Sequence, residues 1–384
     1  MMSVLFRIMT TSLAGVLALM LTTYSADSLV VHEWGTFTSV VDADGSIIEW
    51  EPYRSQRRDL PTFVYGSKVN AMGTVRMETP VIYFYSPKEL ACIVRVDFPQ
   101  GQITEFYPMP DQWLYLPDAI QWSNVELLPR ADEGLPVEKI ASHYYHARDT
   151  DATTLRVRQR NKMEYEKFLF YRGVGTFALP LSAKLLQDRG IVVDAGDSSI
   201  REIVLFENRK GTLGCRFERL SGSETTFAPA LPECSVELLK QNLQALLVNH
   251  RLYPREAEAM VKTWEGSWFE EGLRIFYILP RKRTDAVLPL TITPQPTEIV
   301  RVLVGRLEFV TAEAREDTVR FLTQLSQFGQ LPEAGEEQRR HGRFLEPLIR
   351  SVLESDSTLR ESVELQKALI LLGLFPRTLL AQTR

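Results

Sequence analysis

The chain has 384 residues and a formal net charge of −5, and its 44 Lys and Arg form no basic stripe. That balance excludes nucleic acid as a partner class, because such binding rests on many phosphate-neutralising cations. Three cysteines with no C-x-x-C pair exclude a zinc site built on thiolates.

The first 26 residues, "MMSVLFRIMTTSLAGVLALMLTTYSA", carry a single Arg7, an apolar run to Leu21 and then small and polar residues to Ala26. This is the order of a secretory signal. The run from Ser12 to Thr22 is shorter than the ~20 residues a helix needs to cross a bilayer. We therefore expect cleavage after Ser25 or Ala26, a mature chain without a membrane span, and a periplasmic or extracellular location.

From Leu29 to about Phe227, short apolar runs such as "VIYFYS", "CIVRVDF" and "EIVLFEN" are separated by Gly, Pro and Asp. This is strand texture, and the links are too short for crossover helices, so a mostly antiparallel, sandwich-like domain is expected over 27–234. The stretch "GTFALPLSAKLLQDRG" could hold one short helix. Within this domain, Cys215 and Cys234 flank eighteen residues that include Ser-Gly-Ser and two prolines. Oxidation would close that loop, stabilising the fold by about 3 kcal/mol in the chain-entropy model. Cys92, in "ELACIVRVDF", reads as a small buried core residue.

At Ser235 the texture changes. Leu238, Leu239, Leu243, Leu246 and Leu247 recur at helical spacing, and Pro254 suits the first turn of a second helix. Strands return in "LRIFYILP" and "EIVRVLVGRLEFV", across a connection too rich in proline for an interior strand. Residues 235–310 thus form a mixed helix and strand region expected to pack on the first domain. Residues 311–384 read as an α-helical appendage, with helices beginning near Ala312, Glu336 and Leu359 and a T-x-x-E capping box at Thr358 and Glu361. The fold class is α+β.

The candidate chemistry is sparse. If "VVHEWGTFTS" is a strand, Val31, Glu33 and Phe37 share one face, and Val30, His32 and Trp34 the other. A carboxylate between Val31 and Phe37 must find a cation or stay protonated. Glu33 is then either half of a buried structural bridge or an acid-base catalyst. In "SHYYHARDTDA", His143 and His146 would share a helix face and could hold a metal with a third ligand such as Glu33 or His32. Without the carboxylate of H-E-x-x-H the spacing is unspecific, and no metal or other cofactor is expected. Glu78 in "RMETP", with Arg76 and Arg172 as cations, reads as a structural pairing. If the protein were an enzyme, His32, Glu33, Glu78, His143 and Arg172 would carry the reaction. Neither "GVGTF" nor any serine stands in a phosphate-loop or nucleophile context. Trp113, Tyr115 and Trp122 lie around a Pro-flanked loop where they would pin it or meet a partner, while Trp264, Trp268 and Phe269 have core spacing.

Several phrases together, "VVHEWGTFTSV", "VRMETPVIYFYSP", "FLFYRGVGTF" and "TWEGSWFEEGLRIFYILPR", resemble an uncharacterised family of bacterial exported proteins. The resemblance spans most of residues 30 to 310. It implies export and carries no activity, ligand or catalytic residue. The expected role is a non-catalytic exported protein that binds a partner protein or envelope component, with a hydrolase or metal-assisted enzyme as the rival. N-terminal sequencing of the recovered protein is expected to start near Ala26 or Asp27; an intact Met1 on a cytoplasmic protein would overturn the export reading.

Overall fold

The structure, a computed structural model, describes residues 28–374 except 50, 52–58, 67–70, 112–117, 132–133, 160–161, 188–189, 198, 221, 229–231 and 330–340. The signal segment, Trp113, Tyr115 and the helix start expected at Glu336 lie outside the described residues. The α+β class holds: a strand-built body carries helices on one face and a helical C-terminal region.

The central element is β1 (Val30–Val41), the strand expected from "VVHEWGTFTS". It pairs in parallel with β18 (Glu298–Phe309) and antiparallel with β4 (Val75–Tyr85). From β18 a ten-stranded sheet continues through β16 (Gly272–Ile278), β13 (Glu202–Arg209) and β14 (Thr212–Arg219). From β4 it continues through β10 (Leu169–Gly175), β6 (Gly101–Tyr107) and β3 (Tyr65–Gly66), and β2 (Ile47–Ile48) pairs with β1. Both faces of its central strands are buried. That is why "VIYFY" and "IVRVLV" read as continuous apolar runs and not as an alternation.

One face packs on two smaller sheets. The first is five-stranded, in the order β17 (Leu290–Thr293), β5 (Leu90–Asp97), β7 (Ala119–Leu128), β8 (Thr154–Gln159), β9 (Lys162–Glu166). The second joins β11 (Ser182–Leu185), β12 (Ile191–Asp194) and β15 (Glu224–Phe227). The core between the layers includes Val31, Phe37, Met77, Leu303 and Leu307 from the large sheet and Cys92, Val94, Trp122 and Val193 from the smaller ones. This is sandwich packing. The proline-rich connection supplies β17, an edge strand, as its composition requires.

The other face carries α1 (Val236–Asn249), α2 (Pro254–Trp268) and a 3-10 turn, His143–Arg148. Trp34, Val81, Phe170, Val204 and Val302 of the sheet pack there against Leu239, Leu243, Met260, Trp264 and Trp268. A short α3 (Arg281–Val287) follows β16. The tail forms α4 (Ala312–Phe328), α5 (Leu345–Ser355), α6 (Ser357–Glu361) and α7 (Val363–Leu371) around its own apolar cluster. It docks on the sheet through Phe344 and Leu348 against Val40, Ile48 and Val310.

The described strands pair antiparallel, as expected, except β1 with β18, whose connection runs through most of the chain. Three expectations are corrected. Residues 235–310 do not simply pack on the first region: β16 and β18 pair directly with β13 and β1, so both segments are woven into one sheet. "LSAKLL" forms β11 and no helix, with Ala183 buried and Lys184 exposed in strand alternation. The cap at the tail is Asp356, whose Oδ1 accepts from Leu359 N at 3.0 Å, with Thr358 and Glu361 inside the short helix that follows.

Cys215 and Cys234 are bridged, with Cα atoms 5.7 Å apart, and Cys92 is buried and free. Gly35 explains the middle of the "HEWGTF" phrase. A Cβ there would meet Pro80 Cα at 2.9 Å and Leu303 Cδ2 at 3.2 Å, at the point where the β1–β4 register slips. Gly35→Ala is expected to destabilise the protein by about 1–3 kcal/mol as an overpacked core; an unchanged thermal midpoint would contradict this close approach.

Candidate functional site

The five residues that sequence reasoning placed in a shared cleft are distributed between two faces of the large sheet. Glu33 lies on the sandwich face, opposite its register partner Arg301. Arg301 Nε donates to Glu33 Oε2 at 2.5 Å, and Tyr171 Oη donates to Glu33 Oε1 at 2.5 Å. Arg301 also reaches Asp285 Oδ1 at 2.9 Å and the Leu288 carbonyl at 2.7 Å. Burial opposes the guanidinium's charge, yet Glu33 and Asp285 hold its pKa above the usual value. Burial, then Glu33, drives the Tyr171 phenol well above its ordinary range, so it remains a donor.

His32 lies on the helix face and is equally closed off. Its Nδ1 is 2.7 Å from Glu256 Oε2, and both side chains are sealed from solvent. Glu256 sits in the first turn of α2, where it also accepts from Tyr253 N at 2.8 Å and Tyr85 Oη at 2.9 Å. The imidazole is thus held by a helix-start carboxylate and flanked by the rings of Tyr85 and Tyr253.

Glu78 belongs to a row of buried charges that crosses the helix face of the sheet. Register brings Arg274 beside Glu308, Arg306 beside Thr38, Arg76 and Glu78 beside Thr38 and Thr36, and Arg172 beside Glu105. Glu78 forms an ion pair with Arg76, Oε1 to Nε 3.2 Å, and accepts from Thr38 Oγ1 at 3.0 Å. Arg172 was expected as a partner for Glu78; it binds Asp59 at 2.9 Å and Glu105 at 3.3 Å. Burial lowers the Arg274 guanidinium to about 10 against the pull of Glu308, which leaves it charged at neutral pH. The last turn of α2 ends on this row: Arg306 donates to the Ser267 carbonyl at 2.9 Å and Arg274 to the Trp268 carbonyl at 2.7 Å. Cations at a helix C-terminus meet both its open carbonyls and its dipole.

Where α2 and the 3-10 turn face each other they leave a groove of about 620 Å³, lined by His143, His146, Tyr145, Trp264, Gly266 and Ser267 among others. His143 Nε2 is 3.2 Å from Arg172 Nη2. A guanidinium only donates, so Nε2 is the acceptor and the ring proton sits on Nδ1. His143 and His146 do line one surface, yet the Nε2 lone pair is turned to a cation. Among the described residues no group of three or more His, Cys, Asp and Glu is placed to hold a metal.

The groove's other wall was missed in the sequence. Trp264 was expected as core and is 2% exposed, but its Nε1 has no partner, and neither has Ser267 Oγ. Both line the groove, three residues apart on one helix face. Gly266 between them is exposed, and a Cβ there would meet nothing within 4 Å. A glycine in a helix interior without a steric need was the available signal. Trp268 and Phe269 are core, as is Trp122, whose Nε1 donates to the Pro108 carbonyl at 2.8 Å.

No protein-family model matches the chain, and no curated protein matches it. Among solved structures, the yeast delta-COP-I mu-homology domain complexed with a WxWxV peptide aligns with a TM-score of 0.29 and 7% identity, covering 73% of this chain and 95% of that one. The same yeast domain alone aligns with a TM-score of 0.26, 7% identity and the same coverage. Likeness at that level carries no argument, and the geometry must speak for itself.

Removing one partner of a buried ion pair leaves the other charge unsatisfied, at a typical cost of about 3–5 kcal/mol. Glu33→Gln is therefore expected to lower the thermal unfolding midpoint clearly. A midpoint unchanged or raised would remove Glu33 from the structural role and reopen it as a catalyst.

Proposed function

We propose that this protein is an exported, non-catalytic binding protein that engages a partner protein or envelope component through the groove between the His143–Arg148 turn and the second half of α2. The observation that carries the reading is the open groove of about 620 Å³ lined by His143, Tyr145 and Trp264, in whose wall two buried donors, Trp264 Nε1 and Ser267 Oγ, have no partner. Buried polar groups in folded proteins are normally satisfied, so a small shift of this wall as a guest seats would give both donors an acceptor. The Trp264, His143 and Tyr145 rings add apolar area beside them, the mixture used where a partner is gripped by an aromatic anchor.

The catalytic rival loses its support in the same geometry. His32 and Glu33 occupy opposite faces of β1, and each is sealed in its own pair away from His143. Glu78 and Arg172 are consumed by the buried row. Export is supported by the N-terminal segment and by the Cys215–Cys234 bridge, which belongs to oxidising compartments.

The test places a photo-crosslinking amino acid at Gly266 of the full chain in its native host, with exposed Lys282 on α3 as the control position. A discrete adduct is expected from position 266 and none from 282, and adding Trp264→Phe, which deletes the indole donor, should diminish it. No adduct at 266, or the same adduct from both positions, would overturn the reading.

A further inference from the structure

The ten-stranded sheet ends at β14, whose outer edge is covered only at its first half among the described residues. The cover is residues 232–234, which run antiparallel beside it. Cys215 N donates to the Pro232 carbonyl at 2.9 Å, Cys234 N donates to the Leu213 carbonyl at 3.2 Å, and the Cys215–Cys234 bridge ties the two segments together. Pro232 and Glu233 are exposed and Cys234 is half-buried, so this cap lies on the surface and the bridge is open to a small reductant. The helix that follows does not depend on the cap: α1 starts on its own Ser235 and is packed through Leu239, Leu243 and Leu247. Without the bridge, two backbone hydrogen bonds would hold three surface residues.

The edge continues past the cap. Successive residues of a strand turn their N–H and carbonyl groups to alternate sides. Leu213 and Cys215 turn theirs outward to the cap, so Phe217 turns its own outward as well, where no described strand meets them. The Phe217 ring shares the sheet face of Cys215 and is 38% exposed. Arg216 and Glu218 flank it on the opposite face, both partly exposed and 3.6 Å apart. An antiparallel copy of this strand centred on Phe217 would place Phe217 beside Phe217 and Arg216 opposite Glu218 twice over, so the strand is complementary in charge to itself. The cap stands in the way. Pro232 lies beside Cys215, the place that Arg219 of the second copy would take.

We propose that the Cys215–Cys234 bridge is a redox-set edge guard: oxidised, it holds the cap on β14, and reduced, it frees the cap so that β14 pairs antiparallel with β14 of a second copy about Phe217. The chemistry is thiol–disulfide exchange. A thiolate of a dithiol attacks one sulfur of the bridge, its second thiol displaces the mixed disulfide, and the protein is left with two thiols while the reductant leaves as a disulfide. An uncovered edge strand is a template for another chain, and here the nearest matching strand is its own copy. Cys92 takes no part, being buried. This surface is separate from the groove beside Trp264 and does not rest on it.

Light scattering on the mature chain as it leaves a sizing column, with and without a dithiol, tests this. The oxidised protein is expected at the monomer mass and the reduced protein at twice that mass, and the double variant Cys215→Ser, Cys234→Ser should dimerise without reductant. In the reduced state Glu218→Arg sets arginine against arginine and should stay monomeric, as should Arg216→Glu, while mixing the two restores the doubled mass because each pair is matched again. Hydrogen exchange gives a reading that needs no substitution: on reduction the Phe217 amide should gain protection and the Cys234 amide lose it. A reduced chain that stays monomeric, an equally strong dimer in the oxidised chain, a reduced dimer indifferent to Glu218→Arg, or a Phe217 amide that gains no protection would overturn the proposal.

Discussion

A sheet covered on both faces leaves its charges no water, and that constraint organises this molecule. Arg76, Arg172, Arg274, Arg306 and Arg301 stand on strands of the large sheet and are all nearly or completely buried. Each must be neutralised by protein. On the sandwich face the solution is local, with Glu33 and Tyr171 closing around Arg301. On the helix face the row of arginines and glutamates extends across six strands, from β16 to β6, with Thr38 of β1 bonded to Glu78 in its midst. Two arginines also receive the end of α2, and Arg306 stacks under Phe344 of the tail at 4.6 Å. The row therefore ties the strand body, the helix layer and the C-terminal region together. An apolar sheet of similar volume could be as stable; the charges add a requirement of register, because a slip of one residue would separate the pairs made between strands, such as Arg274 with Glu308, Arg172 with Glu105 and Arg301 with Glu33.

The same constraint decides what remains for binding. Residues that look reactive as a list, His32, Glu33, Glu78 and Arg172, are those held in buried pairs, and charges committed to structural pairs are poor guides to chemistry. Among the groups left without a partner are neutral, less conspicuous ones, and two of them, the Trp264 indole N–H and the Ser267 hydroxyl, stand in the wall of the groove beside the His143–Arg148 turn.

Much of the fold was legible. The apolar runs marked the strands, the leucine spacing after Ser235 marked α1, and the alternation in "VVHEWGTFTS" put Glu33 and His32 on the faces they occupy. The spacing of Cys215 and Cys234 marked the bridge. The identity of Glu33's partner was not legible, since Arg301 lies 268 residues away and nothing local distinguishes it from other arginines. Nor was the weaving of β16 and β18 into the first sheet, because apolar strands reveal burial but not neighbours. "LSAKLL" looked helical because its lysine and leucines fit either period over so short a stretch. The groove escaped because its signal is a missing partner, which exists only in three dimensions.

The pairing of β1 with β18 also sets an order of events. A chain is made from its N-terminus, so β1 emerges first, and its antiparallel neighbour β4 follows after some forty residues. Its parallel neighbour is the last strand among the described residues. Closing the longer loop costs only roughly 2 kcal/mol more entropy than the shorter one, but it cannot happen before that strand exists. Until then one side of this almost wholly buried strand is an open edge, and the glutamate it carries lacks Arg301. An open edge of that kind can pair with another chain, and only the arrival of β18 closes it.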